Sequence, residues 1–212
     1  MKHLGDIKNI NGAEIPVVDC IIGGSPCQDL SVAGKRAGLS GERSGLFMEQ
    51  IRLVKEMRNA SKTVKPIRPR FMLWENVPGA LSSPPSNKGA DFQAVLTECV
   101  RVKEENAPDV PIPKGGWTNA GVLMGRGWSI AWKISDLQYF GCPQRRKRLA
   151  LLCDFDGMAA PEIVFEQYPS RSRPEVQIVC QGLSGDFESG KQTGESPSGC
   201  SRDGSEADDP TG

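Results

Sequence analysis

An apolar run that stops at two glycines constrains the fold of this 212-residue chain more than any other stretch. Residues 17–22 are rich in valine and isoleucine, as expected of a strand buried in a parallel sheet. Gly23, Gly24 and Pro26 cannot continue such a strand, so Cys27 follows its carboxyl end. Ligands bind at that edge of open α/β sheets, which makes Cys27 a candidate functional thiol.

The residues after Cys27 predict a parallel strand–helix–strand unit. Apolar residues recur at helical spacing over residues 46–59, and an apolar run at residues 70–77 predicts a second strand. Such units are right-handed, and both parallel strands end at one edge of the sheet. We therefore expect Cys27 and Glu75, which follows the second apolar run, to face one pocket.

The rest of the chain alternates between clear and weak patterns. Residues 91–105 predict a helix, whereas residues 117–127 allow no assignment. Two further apolar runs, at residues 128–134 and 149–155, predict strands joined by a basic loop, which we interpret as an antiparallel pair at the edge of the sheet. Residues 182–212 are rich in glycine, serine and acidic side chains, so we expect disorder there.

Composition excludes several classes of protein. The chain has 26 basic and 26 acidic residues, so its net charge does not indicate a polyanionic partner. Seven cysteines without a Cys-x-x-Cys pair fit reduced thiols, and the single histidine excludes a multi-histidine metal centre. No apolar run approaches the ~20 residues that cross a bilayer, and the start lacks a signal peptide. We expect a cytoplasmic protein with no membrane and no metal site.

Cys27 and Glu75 each have a structural and a functional interpretation. A free cysteine is usually a small buried hydrophobe, as we expect of Cys20 and Cys153, but Cys27 lies in a glycine-rich loop that suits an exposed, reactive thiolate. Glu75 follows an apolar strand, where partial desolvation would raise its pKa and allow it to donate a proton. The alternative for Glu75 is a capping or salt-bridging carboxylate.

Two polar segments suggest ligand contacts. Residues 33–45 contain four glycines and could fold over a ligand. In the basic loop, strand alternation would place Gln144, Arg146 and Arg148 on one side, suited to phosphates and base edges. The alternative for this run is an ordinary solvated face.

Three motifs in order resemble the DNA (cytosine-5)-methyltransferase family. Residues 24–34 resemble its Pro-Cys-Gln motif with a trailing Ser-x-x-Gly, residues 73–77 its Glu-Asn-Val motif, and residues 141–148 its Gln-x-Arg-x-Arg motif. The resemblance implies an α/β fold: a partial Rossmann-like, S-adenosylmethionine-dependent methyltransferase sheet lacking its first strands, with a disordered C-terminal tail. Residues 1–160 would form a partial catalytic domain, and residues 161–212 the remnant of a target-recognition region and the tail.

The resemblance also implies a mechanism on double-stranded DNA with a flipped cytosine. Cys27 would add to carbon 6, so that carbon 5 can accept a methyl group from S-adenosyl-L-methionine, while Glu75 would hold or protonate ring nitrogen 3. Arg148 would contact the carbonyl oxygen of the base and Arg146 a backbone phosphate. The implied cofactor-lining residues are Asp6, Ile7, Pro26 and Leu46, and the implied DNA contacts are Gln28, Ser31, Arg43 and Gln144.

Three alternatives remain. The family's first strands and cofactor loop have no counterpart here, so a complementary polypeptide would have to supply them, or the gene is a fragment. The chain could also be a non-catalytic remnant or DNA-binding accessory module. A thiol-based reductase is disfavoured, because neither a second thiol nor a histidine lies near Cys27 in the sequence.

Overall fold

The computed structural model describes residues 2–25, 45–83, 85–141, 144–165, 176–181 and 187–192. The helices in these ranges are α1 (Gly45–Ala60), α2 (Ala90–Arg101) and α3 (Ala160–Phe165). The strands are β1 (Cys20–Gly23), β2 (Phe71–Asn76), β3 (Ala120–Gly125), β4 (Trp128–Asp136), β5 (Lys147–Asp154), β6 (Val176–Gln181) and β7 (Phe187–Gln192).

The seven strands form one mixed sheet in the order β1-β2-β5-β4-β3-β6-β7. β1 pairs with β2 in parallel, as does β3 with β6, and the other neighbours are antiparallel. The predicted unit of β1, α1 and β2 is therefore confirmed. Because β2 and β5 are antiparallel, the end of β2 and the start of β5 lie at the same edge of the sheet.

Helices cover both faces of the sheet. On one face, α1 and α2 pack against buried side chains of β2, β4 and β5, including Trp74, Trp132 and Leu151. On the other face, α3 contributes Ala160 and Val164 to a smaller cluster. Each fully buried large apolar side chain stabilises such a core by about 1.5–3 kcal/mol. The central strands are thus held from two sides, and the α/β class is the observed one.

β1 is the outermost strand on its side of the sheet. Among the described residues it pairs only with β2, and the side chain of Ile22 is 71% exposed. Cys20 is also exposed, so its expected place in the core was wrong, whereas Cys153 is buried as expected. The reason is that no described element covers the outer face of β1.

The antiparallel pair of β4 and β5 was predicted correctly, but its expected place at the edge was wrong. β5 lies between β2 and β4 near the middle of the sheet, with Leu149 and Leu151 fully buried. Strand β3 occupies the stretch that allowed no assignment. Two glycines obscured it, and both lie under tryptophan rings of β4: a Cβ at Gly121 would collide with Trp132.

The expectation of disorder from residue 182 onward was wrong for residues 187–192. These residues form β7, which pairs with β6 along its whole length. β6 in turn pairs with β3, so backbone hydrogen bonding to the sheet outweighs the polar composition of the segment. Residues 182–186 and 193–212 lie outside the described ranges.

No helix in the described part of the chain is long and apolar enough to cross a membrane.

Candidate active site

The ends of β1 and β2 are tied together at one edge of the sheet. Gly23 lies opposite Trp74 in the parallel ladder. Immediately beyond it, the indole nitrogen of Trp74 donates to the Ser25 hydroxyl at 3.0 Å, and the Asn76 amide donates to the Ser25 carbonyl at 3.0 Å. A Cβ at Gly24 would lie 3.0 Å from Oε2 of Glu75. The chain therefore leaves β1 directly beside the Glu75 carboxylate.

Gly23 is required by a buried polar neighbour. A Cβ at this position would collide with the side-chain amide of Gln50, which lies buried on α1. That amide donates to the carbonyl oxygen of Leu73 at 3.1 Å. The helix is therefore tied to β2 by a hydrogen bond whose donor lies against Gly23, and a larger residue at position 23 would displace that donor.

Glu75 forms an ion pair with Arg148, which lies on the neighbouring strand β5. Glu75 lies opposite Ala150, so Arg148 is its diagonal neighbour on the same face of the sheet. The Arg148 Nε atom is 2.7 Å from Oε1 of Glu75, and the two side chains are 25% and 46% exposed, respectively. Glu75 is thus a half-exposed, paired carboxylate rather than one enclosed in an apolar pocket. The pair also brings together two candidate residues, Glu75 and Arg148, from motifs that are far apart in the sequence.

The basic loop leaves the same edge of the sheet. Gln144, Arg145, Arg146 and Lys147 are all exposed. The Arg146 amide donates to Asp136 at 3.1 Å, which holds the loop against the end of β4. β5 begins only at Lys147, so Gln144 and Arg146 lie before the strand. The alternation of side chains along a strand therefore gives no reason to place them on the same side as Arg148.

A second group of candidates lies on the segment that precedes β1. Asp6 caps a 3₁₀ turn at Ile7–Asn9 by accepting from the Lys8 amide at 3.0 Å. Leu46 is half-buried in the first turn of α1. The Arg52 guanidinium, further along α1, donates to the carbonyl oxygen of Ile7 at 2.9 Å. One helix therefore carries Leu46 and also holds the segment that contains Asp6.

Arg52 is the centre of a hydrogen-bonded clamp. It also donates to the Ile10 carbonyl at 2.9 Å and pairs with Glu49 at 2.6 Å and Glu56 at 2.7 Å. Glu56 accepts from the Gly12 amide at 2.7 Å. Hydrogen bonds to Glu56 and Glu49 raise the pKa of Arg52. Burial acts to raise the pKa of Glu56, but the bonds from Arg52 and Gly12 lower it overall.

Replacing Arg52 with methionine should loosen the segment before β1, because it removes every guanidinium donor of the clamp, leaves only the bond from Gly12 to Glu56 and keeps the apolar stem. Losing charged hydrogen bonds of this kind costs about 1–3 kcal/mol, so amide-exchange protection at Ile10 and Gly12 should fall by about 5- to 140-fold. Replacing Glu49 with glutamine is the control, since it removes only one helix-surface pair worth about 0.3–0.5 kcal/mol. Unchanged protection in the methionine variant would refute the clamp.

Five candidates lie outside the described residues: Pro26, Cys27, Gln28, Ser31 and Arg43. The glycine-rich stretch expected to fold over a ligand also lies outside, except for Gly45. Among the cysteines whose surroundings are described, burial raises the pKa of Cys153 well above its usual value, and at the exposed Cys20 the neighbouring protein atoms still desolvate the thiolate enough to raise its pKa. Neither has the lowered pKa of a reactive thiol.

Sequence reasoning missed the residues that support the site. Ser25 was treated as part of a motif and Trp74 as part of an apolar strand, although the bond between them fixes the start of the loop. Arg52 was assigned to the polar face of the helix predicted over residues 46–59, and Gln50 was not singled out. Trp74 in a predicted buried strand could have indicated the bond to Ser25, because a buried indole N–H needs an acceptor. No group of three or more potential metal ligands occurs in the described part of the chain.

Similarity to known proteins is concentrated in the methyltransferases. Residues 1–99 match the model of the family described as C-5 cytosine-specific DNA methylase. Type II methyltransferase M2.BsuMI of Bacillus subtilis (strain 168) is 31% identical over 177 residues, covering 83% of this chain and 36% of that protein. A protein of Escherichia phage P1 named DNA N-6-adenine-methyltransferase is 28% identical over 213 residues, covering 87% of this chain and 28% of that protein.

A solved structure of the S. pombe Dnmt2 methyltransferase matches 74% of this chain and 37% of its own, with a TM-score of 0.40 and 17% identity. The chain spans only about a third of the length of the curated relatives above. Over residues 1–99 the chain is therefore similar to the C-5 cytosine-specific DNA methylase family, and the relatives above are all methyltransferases.

Proposed function

We propose that this chain is part of a DNA (cytosine-5)-methyltransferase, with Cys27 as its nucleophile. One observation supports the proposal most strongly: the Glu75–Arg148 pair lies at the sheet edge where the loop that carries Cys27 begins. Ser25 is hydrogen-bonded at that edge, and Cys27 is two residues further along. Covalent geometry therefore limits the separation of the two Cα atoms to about 7 Å.

The proposed chemistry requires a nucleophile, because carbon 5 of cytosine is too electron-poor to attack a methyl donor directly. The Cys27 thiolate forms a bond to carbon 6, the electron pair of the 5,6 double bond shifts to between carbons 4 and 5, and ring nitrogen 3 takes a proton from Glu75, whose carboxylate has first gained that proton from water on leaving Arg148. Carbon 5 then takes the methyl group. Loss of its proton to a base and departure of the thiolate restore the double bond.

Arg148 has two roles in this scheme. It neutralises Glu75 before the substrate binds, and it can donate to the carbonyl oxygen of the base when Glu75 turns toward nitrogen 3. A guanidinium suits both roles, because it presents several donors in a fixed plane. In the proposed step, the Glu75 carboxyl group leaves Arg148 and forms a hydrogen bond with ring nitrogen 3 of the base.

The residues on α1 and the preceding segment fit part of S-adenosyl-L-methionine. Asp6 offers a carboxylate that can accept from an amino group, and Ile7 and Leu46 are half-buried aliphatic side chains that can cover a flat ring. Pro26 would complete this wall. When bound, the cofactor supplies a methyl group on a positively charged sulfur. Arg52 keeps the two protein segments at a fixed separation.

Double-stranded DNA with a flipped cytosine is the proposed substrate. A base inside the duplex is out of reach of a thiolate, so it must leave the stack. Arg146 and Gln144 are exposed beside the Glu75–Arg148 pair and can contact the strand there. Gln28, Ser31 and Arg43 are further proposed DNA contacts.

A complementary polypeptide segment is part of the proposal. The outer edge of β1 lacks a neighbour within the described residues, and a further strand there would pair with its free backbone groups. We assign residues 1–160 to a partial catalytic domain and residues 161–212 to the start of a target-recognition region. β6 and β7 extend the same sheet from that second region.

Release of tritium tests the proposed reaction directly. DNA labelled with tritium at carbon 5 of cytosine loses the label to water only after addition at carbon 6 has made carbon 5 nucleophilic, and release coupled to substitution requires the methyl donor. We expect release that depends on S-adenosylmethionine when the full chain is assayed. A folded chain that transfers labelled methyl groups to DNA without releasing tritium would exclude the cytosine-5 reaction.

The phage P1 relative supports a second candidate, methylation of the exocyclic amine of adenine. That nitrogen has a lone pair and needs no covalent activation, so the reaction would not use Cys27. The tritium assay separates the two, because methylation of adenine leaves the label in the DNA. If the chain neither transfers methyl groups nor releases tritium but still binds DNA, it is a non-catalytic binding module.

A further inference from the structure

Two exposed aromatic side chains lie beside the basic loop. Tyr139 is 81% exposed and Phe140 is 56% exposed, whereas the tryptophans of the described ranges are all buried. Both belong to the 3₁₀ turn Leu137–Phe140 between β4 and β5. Neither ring stacks on another ring or on a guanidinium within the described residues. Two adjacent uncovered rings are unusual because their burial is favourable.

The aromatic turn and the basic loop form one unit. The Leu137 amide donates to the Arg146 carbonyl at 3.1 Å, and Asp136 accepts from the amides of both Gln138, at 3.3 Å, and Arg146, at 3.1 Å. The turn ends at Gly141, whose positive φ of 82° suits glycine. The backbone that carries the two rings is therefore hydrogen-bonded to the backbone of the basic loop.

The charges of the unit favour a polyanion. Arg145, Arg146 and Lys147 are exposed, and none of them pairs with a carboxylate of the described residues. Asp136, the acidic residue of the unit, already accepts backbone and side-chain hydrogen bonds. Cations beside uncovered rings are the combination with which proteins hold unstacked nucleic-acid bases.

We propose that Tyr139 and Phe140 form a stacking surface for unpaired bases of the DNA, next to phosphates bound by Arg145 and Lys147. The inference rests on the proposed DNA substrate and adds a binding role that the catalytic scheme does not need. The turn lies at the sheet edge that carries Glu75, so bases freed from the duplex near the target cytosine would reach it. Stacking requires no specific base edge and is tolerant of sequence.

Salt-dependent binding separates stacking from phosphate contacts. The full chain is titrated by fluorescence anisotropy with a matched duplex and with a duplex that has a two-nucleotide gap, at 50 to 200 mM salt. Replacing Tyr139 and Phe140 with leucine should weaken binding to the gapped DNA by about 5- to 140-fold per ring. The slope against salt should not change, since rings release no counterions.

Two matched variants define the controls. Arg145→Gln should lower the salt slope by about 1 and weaken both DNAs similarly. Ile163→Ala truncates an exposed apolar side chain on α3, away from the unit, and should change neither affinity nor slope. Thermal melts establish that each variant is folded. Phe140→Trp adds an exposed indole to a chain whose described tryptophans are buried, and gapped DNA should quench its red-shifted emission.

The outcomes distinguish this inference from the proposed function. If the wild-type chain binds DNA and Arg145→Gln lowers the slope, but the leucine variants bind gapped DNA unchanged and the red-shifted emission of Phe140→Trp is not quenched, the stacking surface is refuted and the DNA substrate stands. If the folded wild-type chain binds neither DNA at 50 mM salt, both are refuted. Loss of affinity confined to the matched duplex would also refute stacking on unpaired bases.

Discussion

Cys27→Ala is expected to abolish covalent trapping on DNA that contains 5-fluorocytosine and to reduce turnover by on the order of 10⁶-fold, the scale on which removal of a covalent nucleophile acts. Fluorine at carbon 5 cannot leave as a proton does, so the bond from sulfur to carbon 6 persists after methyl transfer. A denaturing gel should then show a cofactor-dependent protein–DNA adduct with the wild-type chain and none with the variant.

Cys20→Ala is the matched control for this experiment. Cys20 is the exposed cysteine of β1, only seven positions before Cys27, and its raised pKa disfavours the thiolate. Its removal should leave the adduct intact. An adduct that survives in Cys27→Ala but disappears in Cys20→Ala would assign the nucleophile to β1. Methyl transfer that persists in Cys27→Ala would instead favour the adenine reaction.

Glu75→Gln should reduce the single-turnover rate by roughly 10²- to 10⁴-fold, the usual contribution of a positioned acid. Glutamine has the same shape and can still donate a hydrogen bond to ring nitrogen 3, but it has no proton to transfer. Stability should change by less than about 1 kcal/mol, because the Glu75–Arg148 pair is substantially exposed. Rapid-quench assays and thermal melts measure the two effects separately.

The Glu75→Gln experiment needs a control variant that loses a surface ion pair away from the proposed site. Asp109 forms a comparable 2.9 Å pair with Arg101 on the surface, and Asp109→Asn should leave the rate unchanged. A double-mutant cycle with Arg148→Met then measures the coupling of Glu75 to Arg148. Equal rates for Glu75→Gln and the wild-type chain would remove Glu75 from the mechanism, and additive losses would show that the two side chains act independently.

Sequence patterns located most elements because the apolar periodicity of each was matched by its burial. β2, β4 and β5 were predicted from apolar runs, and Trp74, Trp132 and Leu151 are all fully buried. β1 was predicted over residues 17–22 but is limited to Cys20–Gly23. The ladder with β2 begins there, and an apolar run does not indicate whether a second strand covers its other side.

Elements that depend on long-range pairing could not be read from local sequence. β3 contains glycines that accommodate tryptophan rings from β4, a relationship across strands. β7 is polar and is held by backbone pairing with β6. At the site, the resemblance implied that Glu75 and Arg148 contact the same base, but their ion pair was not predicted and follows from the antiparallel register of β2 with β5.

The uncovered outer edge of β1 has a consequence for handling the protein. Unpaired backbone groups beside an exposed Ile22 can accept the same edge of another copy, so self-association should rise with concentration and compete with a complementary segment. The yield of the complex would then depend on whether the complementary segment is present while this chain is being synthesised. Co-expression of the two segments should give protein that does not aggregate. Mixing the segments after purification should recover only the fraction of this chain that has not already self-associated.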